Sequence, residues 1–152
     1  MAQTVEELIE VIDLLSEKNE VVPIIVEGRN DISGLRSLGL KGEIHSLNQG
    51  KSLLQRVEEI SACREELIVL PDFDRKGVAL KDTVKRYVEG MGKTADTYYW
   101  NRIRSFSLVT CIEDLPKAIE RGVVTMGMDI VNYRLIDSDG TRRMFSTILP
   151  WS

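Results

Sequence analysis

The pattern of hydrophobic and polar positions predicts helices and strands that alternate along the chain. The segment Thr4-Val5-Glu6-Glu7 is a capping box, with Glu7 three residues after an N-cap threonine. Short apolar runs at Val21–Val26 and Leu67–Leu70 are typical of strands buried on both faces. After the capping box, the apolar residues recur at the spacing of one helix face: Val5, Leu8, Ile9, Ile12 and Leu15.

The remaining predicted elements continue this alternation. Strands alternating with helices of ten or more residues favour an α/β fold, here a parallel sheet of about four strands with flanking helices. In the common strand order 2-1-3, the first and third strands are neighbours. Further helices are predicted from near Asn30-Asp31, over Lys51–Cys63, over Val78–Glu89 and over Glu113–Glu120, and further strands around Glu43–Leu47 and Ala95–Trp100.

The last thirty residues have a different pattern. Two strand-like runs, Val131–Ile136 and Arg142–Ile148, flank Asp137-Ser138-Asp139-Gly140, and Asp-Gly between such runs is a strong hairpin signal. We therefore predict one structural unit made of an N-terminal helix (1–20), an α/β domain (21–121) and a C-terminal β-hairpin (122–152). The end of that hairpin, Ile148–Trp151, offers an edge to a protein partner or to a second copy in a homodimer.

Composition excludes several classes of protein. The chain has 152 residues, 43% of them hydrophobic, which suits a single globular domain. No apolar run approaches the roughly 18 residues that span a bilayer, and the start of the chain lacks the pattern of a signal peptide. Two cysteines, Cys63 and Cys111, are too few for a disulfide framework and lack the spacing of metal ligands. We therefore expect a cytoplasmic protein without a membrane partner.

The charges are unevenly distributed along the chain. The net charge is −4, which argues against a protein that holds nucleic acid by bulk electrostatics alone. Residues 1–28 contain seven acidic residues and one lysine, whereas residues 75–104 contain eight basic residues and three acidic ones. This basic middle segment suits either a phosphate-bearing partner or an ordinary solvated helix surface.

Acidic residues follow the first and third predicted strands directly. Glu27 ends the first strand, and Asp72 and Asp74 follow the third. With the two strands adjacent, the three carboxylates lie at one edge of the sheet, where α/β proteins bind ligands. Crowded carboxylates repel one another, and Mg²⁺ relieves this with one or two carboxylates plus substrate phosphate. The alternative is that each acid only caps a helix or forms a turn.

Two motifs resemble those of a known family. Val26–Asp31 resembles the E-G-x-x-D motif of Toprim domains, and Asp72–Gly77 matches their D-x-D-x-x-G motif. The resemblance covers Val21 to Arg121 and is greatest to small stand-alone Toprim proteins, described mainly from archaea. Similar modules occur in 5S ribosomal RNA maturases and OLD-type nucleases. The resemblance implies a Toprim, Rossmann-like sheet.

The resemblance also implies roles for the matched residues. Glu27 would be the general acid/base and would share a first Mg²⁺ ion with the two aspartates. Asp72 and Asp74 would bind one or two Mg²⁺ ions, for which Mn²⁺ would substitute, in the manner of a two-metal clamp on a phosphodiester. Arg75 and Lys76 would neutralise developing phosphate charge, the alternative being that both are solvated residues of a helix surface.

Three further charged residues are weaker candidates for the same metal and phosphate site. Lys81 follows the second motif and is interpreted either as a phosphate ligand or as a solvated lysine. Glu113 and Asp114 resemble a looser acidic segment of stand-alone Toprim proteins. We interpret them as acids that favour a helix N-terminus.

The resulting functional hypothesis is Mg²⁺-dependent hydrolysis of nucleic-acid phosphodiesters, with RNA and DNA both open as partners. No tyrosine-bearing topoisomerase module or primase zinc domain accompanies the motifs, so the step to a small nuclease rests on analogy. One alternative is a non-catalytic module that binds metal and nucleic acid, or a subunit of a larger assembly. Another is a phosphatase that acts on a small phosphoester with Asp72 as nucleophile.

Overall fold

The computed structural model describes residues 4–106, 109–125, 134–136 and 142–144. Helices and strands alternate through most of this part of the chain. The helices are α1 (Val5–Asn19), α2 (Arg29–Ser37), α3 (Leu53–Ser61), α4 (Arg75–Gly90), α5 (Tyr98–Arg104) and α6 (Leu115–Thr125). The strands are β1 (Ile24–Val26), β2 (Ile44–Ser46), β3 (Glu66–Val69), β4 (Thr94–Asp96), β5 (Arg134–Ile136) and β6 (Arg142–Met144).

Four strands form a parallel sheet with the order β2-β1-β3-β4. Ile24 of β1 pairs with Ile44 of β2 on one side and with Ile68 of β3 on the other. The predicted α/β fold, the parallel sheet of four strands and the central 2-1-3 order are confirmed. Because β1 and β3 are neighbours, the residues that follow them lie at the same edge of the sheet.

Strand residues alternate between the two faces of the sheet, and each face packs against helices. Side chains from α1, α2, α5 and α6 cover one face, and side chains from α3 and α4 cover the other. The central strands are buried on both faces, as their unbroken apolar runs predict. The first face receives Ile24, Val26, Ile68 and Leu70, and the second receives Ile25, Leu67 and Val69.

The buried side chain of Asn19 fastens the end of α1 to the sheet. Its amide nitrogen donates to the carbonyls of Val22 and Glu43, at 3.1 and 2.9 Å. Its amide oxygen accepts from the Gly42 N–H at 2.9 Å. A Cβ atom at Gly42 would lie 1.8 Å from the Asn19 carbonyl oxygen, so this close approach requires glycine.

The prediction of a strand over Ala95–Trp100 is wrong beyond Asp96, because the chain turns there into helix α5. The Asp96 carboxylate accepts from the Tyr98 N–H at 2.8 Å and forms the turn. Helical geometry then places Trp100 and Ile103 together in the core, where both are fully buried. Burial of these side chains outweighs the β-propensity of the aromatic run.

Other predicted boundaries shift by a few residues. Helix α4 begins at Arg75 rather than Val78, because the Asp74 side chain caps it by accepting from the Gly77 N–H at 2.7 Å. Helix α2 begins at Arg29, one residue before the predicted start, with Gly28 at its N-cap. Helix α6 occupies Leu115–Thr125 instead of Glu113–Glu120.

Strands β5 and β6 pair antiparallel, with Leu135 opposite Arg143. This pairing agrees with the predicted C-terminal hairpin, whose turn at 137–140 and end at 148–151 lie outside the described residues. In the part of the chain that the structure describes, none of the helices combines the length and the apolar composition that a bilayer crossing requires.

Candidate functional site

An open cleft of about 710 Å³ lies where strands β1 and β3 end. This is the edge at which α/β sheets bind ligands. Acidic side chains from three different segments line the cleft together with two basic ones. The acidic residues are Glu27, Asp31, Asp72 and Glu113, and the basic residues are Arg29 and Lys76.

Two of these carboxylates are joined through the backbone. The Asp72 N–H donates to Glu27 Oε1 at 3.1 Å, and the Ile112 N–H donates to Asp72 Oδ1 at 3.0 Å. Each carboxylate is therefore oriented through one oxygen atom. Glu27 Oε2 and Asp72 Oδ2 make no hydrogen bond or ion pair with the described residues, so both are available to a ligand.

Asp31 is the most buried acid of the cleft, with only 5% of its surface exposed. Its Oδ2 accepts from the Gly28 N–H at 3.0 Å, in the first turn of α2. Burial raises the pKa of Asp31 to about 6, and the negative charges of Asp72 and Glu27 act in the same direction. Asp31 therefore keeps its proton to a higher pH than an ordinary aspartate does.

Glu113 reaches the cleft because its backbone packs closely against α2. A Cβ atom at Gly34 would lie 3.1 Å from the Glu113 Cα atom, so a small residue is needed at this crossing. The next residue, Asp114, is directed to an ion pair with Arg121 at 3.0 Å. Asp114 directly precedes α6 and pairs with a residue of that helix, whereas Glu113 lines the cleft.

Two predicted site residues lie outside the lining of the cleft. Asp74 is exposed and uses Oδ1 to cap α4, and Arg75 is the exposed first residue of that helix. Neither lines the cleft. The cleft therefore unites Glu27, Asp72 and Lys76 of the predicted set, while the roles of Asp74 and Arg75 stay predictions.

The fully buried Trp100 holds the backbone of the segment that carries Asp72. The indole Nε1–H donates to the carbonyl of Pro71 at 3.0 Å and approaches that of Asp72 at 3.4 Å. The ring also packs against Phe73, with 5.5 Å between the ring centroids. Trp100 thereby fixes the backbone on both sides of the Asp72 Cα atom.

The described carboxylates of the cleft do not form a complete protein cage for a cation. Within the described residues, no group of three or more His, Cys, Asp or Glu side chains is placed to hold a metal ion. Mg²⁺ keeps several waters and usually binds one or two carboxylates plus substrate phosphate. Glu27 and Asp72, each with one oxygen left for a ligand, fit that requirement.

Sequence reasoning missed Asp31 and Trp100 as parts of this site. Asp31 stands in the E-G-x-x-D motif, so its spacing from Glu27 was a usable signal. Glu113 was noted in a looser acidic segment but was interpreted as a helix-terminal acid, and it lines the cleft through the contact between α2 and the segment before α6. Trp100 belongs to an aromatic run that favours a strand, and its role follows only from α5.

Relatives of this chain occur in archaea. A UPF0292 protein of Thermoplasma volcanium is 47% identical over 106 residues, covering 70% of this chain and 89% of the relative. The chain belongs to the UPF0292 family. Another UPF0292 protein, from Thermococcus sibiricus, is 33% identical and covers 75% of this chain and 89% of its own length. The UPF0292 protein of Thermococcus kodakarensis is 34% identical, over 63% of this chain and 69% of the relative.

A solved structure has the same fold as this UPF0292 protein. It is a protein from Aquifex aeolicus, with a TM-score of 0.62 and 25% sequence identity, and the match covers 69% of this chain and 94% of the other. No family model matches the chain.

These comparisons correct the predicted family. The relatives carry the UPF0292 name and no Toprim model matches, so the assignment to the Toprim family is wrong. The expected archaeal type fits the relatives. Roles for residues of the cleft must therefore rest on its geometry and charge.

Proposed function

We propose that this UPF0292 protein is a Mg²⁺-dependent enzyme that hydrolyses phosphodiester bonds of nucleic acid in the cytoplasm. The carboxylate pair at the end of the two central strands carries the proposal. Glu27 and Asp72, linked by a 3.1 Å hydrogen bond, each offer one oxygen to the same cleft. This pair supports a divalent cation because four acids and two bases leave the lining with an excess of negative charge.

Lys76 supports a phosphate-bearing substrate. It lies in the first turn of α4 and lines the cleft that the two carboxylates line. A lysine beside a carboxylate pair suits a phosphate group that the cation and the ammonium bind together. Arg29, at the start of α2, adds a second positive charge to the lining.

Mg²⁺ held by Asp72 Oδ2 would supply the positive charge that stabilises the phosphate in the transition state. Glu27 Oε1 is held by the Asp72 N–H, so its remaining oxygen, Oε2, is assigned to accepting a proton from the attacking water, and Glu27 would reach the ion only through water. The water oxygen then forms the new bond to phosphorus while the ester bond breaks, and the leaving oxygen takes up a proton from solvent. Lys76 binds a phosphate oxygen throughout.

The test is a cleavage screen with labelled single-stranded, duplex and hairpin RNA and DNA, in Mg²⁺ or Mn²⁺. We expect Glu27→Gln to reduce the rate about 10²- to 10⁴-fold, the contribution typical of a general base. Asp72→Asn should abolish metal-dependent cleavage and weaken Mg²⁺ binding in calorimetry. Glu89→Gln is the matched control, because Glu89 is an exposed acid near the end of α4 and lies outside the lining.

Cleavage that persists unchanged in Asp72→Asn would refute the proposal. Mg²⁺ binding without any product would favour the non-catalytic module instead. Trapping of the chain by beryllium fluoride, together with turnover of small phosphoesters only, would favour a phosphatase with Asp72 as nucleophile.

A further inference from the structure

Two basic side chains lie against the same indole ring, beside the segment that carries Asp72. The Lys81 ammonium is 4.1 Å from the Trp100 ring centroid, and the Arg104 guanidinium carbon is 5.0 Å from it. Lys81 comes from α4 and Arg104 from the end of α5, so two helices contribute to the cluster. We call Lys81, Trp100 and Arg104 the indole cluster.

The positive charge of the indole cluster is poorly balanced. Lys81 has one carboxylate partner among the described residues, Asp82 at 3.5 Å, and the Asp82 side chain is 64% exposed. Arg104 is exposed and forms no ion pair with the described residues. Two cations at one ring concentrate positive charge there, which favours the binding of an anion beside the indole cluster.

The indole cluster is joined to the cleft by direct contacts. Trp100 Nε1 lies 3.4 Å from the Asp72 carbonyl oxygen, and Lys81 Nζ lies 4.1 Å from the Trp100 ring centroid. Trp100 therefore contacts both the segment that carries Asp72 and the two cations.

We propose that the indole cluster binds a backbone phosphate of the nucleic-acid strand whose neighbouring phosphodiester lies in the cleft. This inference rests on the proposed function and deepens it, because it selects a polymer over a small phosphoester. Arg104 presents a planar guanidinium that matches two phosphate oxygens, and Lys81 adds a point charge. Trp100 is a positioning residue that holds both cations beside the Asp72 segment.

The experiment measures binding of a labelled oligonucleotide by fluorescence anisotropy, in EDTA, so that neither Mg²⁺ nor turnover is needed. Lys81→Gln and Arg104→Gln should each weaken affinity about five- to eightfold at 0.1 M salt. One phosphate contact contributes about 0.7–0.9 to the slope of log affinity against log salt concentration. The magnitude of that slope should therefore fall by about 0.7–0.9 in each variant. Arg104→Lys should restore part of the affinity.

The matched control is Arg64→Gln, which removes one positive charge just before β3, at the opposite edge of the sheet from the cleft. Its affinity should equal that of the wild type. If Lys81→Gln and Arg104→Gln bind as tightly as Arg64→Gln, the inference is wrong. Oligonucleotide binding that depends on the indole cluster, without any cleavage in Mg²⁺, would uphold this inference and refute the proposed function. Mg²⁺-dependent cleavage of the oligonucleotide, with affinity and rate unchanged in Lys81→Gln and Arg104→Gln, would uphold the proposed function and refute this inference.

Discussion

Asp31→Asn should make the protein more stable at neutral pH, although it alters a buried polar residue. The Asp31 carboxylate lies among the other acids of the cleft, and its pKa is raised from 3.8 to about 6, chiefly by burial. Asparagine has nearly the same shape, and its amide oxygen can still accept the Gly28 N–H, which lies 3.0 Å from Asp31 Oδ2. The substitution therefore removes the charge and keeps the helix-capping contact.

The sign and size of the effect follow from the two pKa values. The unfolded chain loses the Asp31 proton near pH 3.8 and the folded chain near pH 6, so the folded state loses stability as the pH rises through this window. A shift of about two units corresponds to about 3 kcal/mol. Solvent in the open cleft screens the charge, so we expect a gain of about 1–2 kcal/mol for the variant at pH 7.5.

Urea unfolding in EDTA, followed by circular dichroism, measures this difference. At pH 4.0 the wild type and Asp31→Asn should have nearly equal free energies of unfolding, and the gap should open between pH 4 and 7. Asp82→Asn, at a side chain that is 64% exposed, should show no such pH-dependent gain. A variant that is less stable than the wild type at pH 7.5, or equally improved at both pH values, would refute the reasoning.

Three further substitutions test how the site is built. Gly77→Ala would place its Cβ atom 1.9 Å from the Asp72 carbonyl oxygen, so chemical denaturation should show a loss of about 1–3 kcal/mol in the free energy of unfolding. At the control position, a Cβ atom in Gly90→Ala meets nothing within 4 Å, so this variant should not be destabilised. Trp100→Phe removes the indole N–H and should cost about 1–3 kcal/mol in the same assay. Asp74→Ala should lose about 0.5–2 kcal/mol of unfolding free energy, and Asp74→Ser should retain most of it. Calorimetry should give wild-type Mg²⁺ affinity for Asp74→Ser, and a large drop would identify Asp74 as a metal ligand instead of a cap.

The central architecture could be predicted because its signals are local. Within the predicted apolar runs, Ile24–Val26 and Leu67–Leu70 are buried, whereas Val21 before β1 is 83% exposed, and hydrophobic periodicity defines α1. Acids that follow adjacent parallel strands must meet at one edge, so the proximity of Glu27 and Asp72 follows from strand order alone. This much of the site depends on topology and needs no side-chain detail.

The rest of the site could not be predicted because it depends on contacts between distant segments. Glu113 enters the cleft only because Gly34 permits close packing with α2. Trp100 contacts the segment that carries Asp72 only because burial in the core favours helix α5 over a longer strand. The capping role of Asp74, by contrast, is a local contact with Gly77 and was among the alternatives that the sequence left open.

The cleft also has a consequence for the order of events during folding. Glu27 and Asp72 are 45 positions apart in sequence, and the Ile112 N–H that orients Asp72 comes from 40 positions further along. Contacts of such long range form late, after the entropy of closing large loops has been overcome. A chain that is still emerging from the ribosome therefore has no assembled cleft until α5 and the segment around Ile112 have been made. Any activity of the cleft begins only when nearly the whole sheet and its helices are in place.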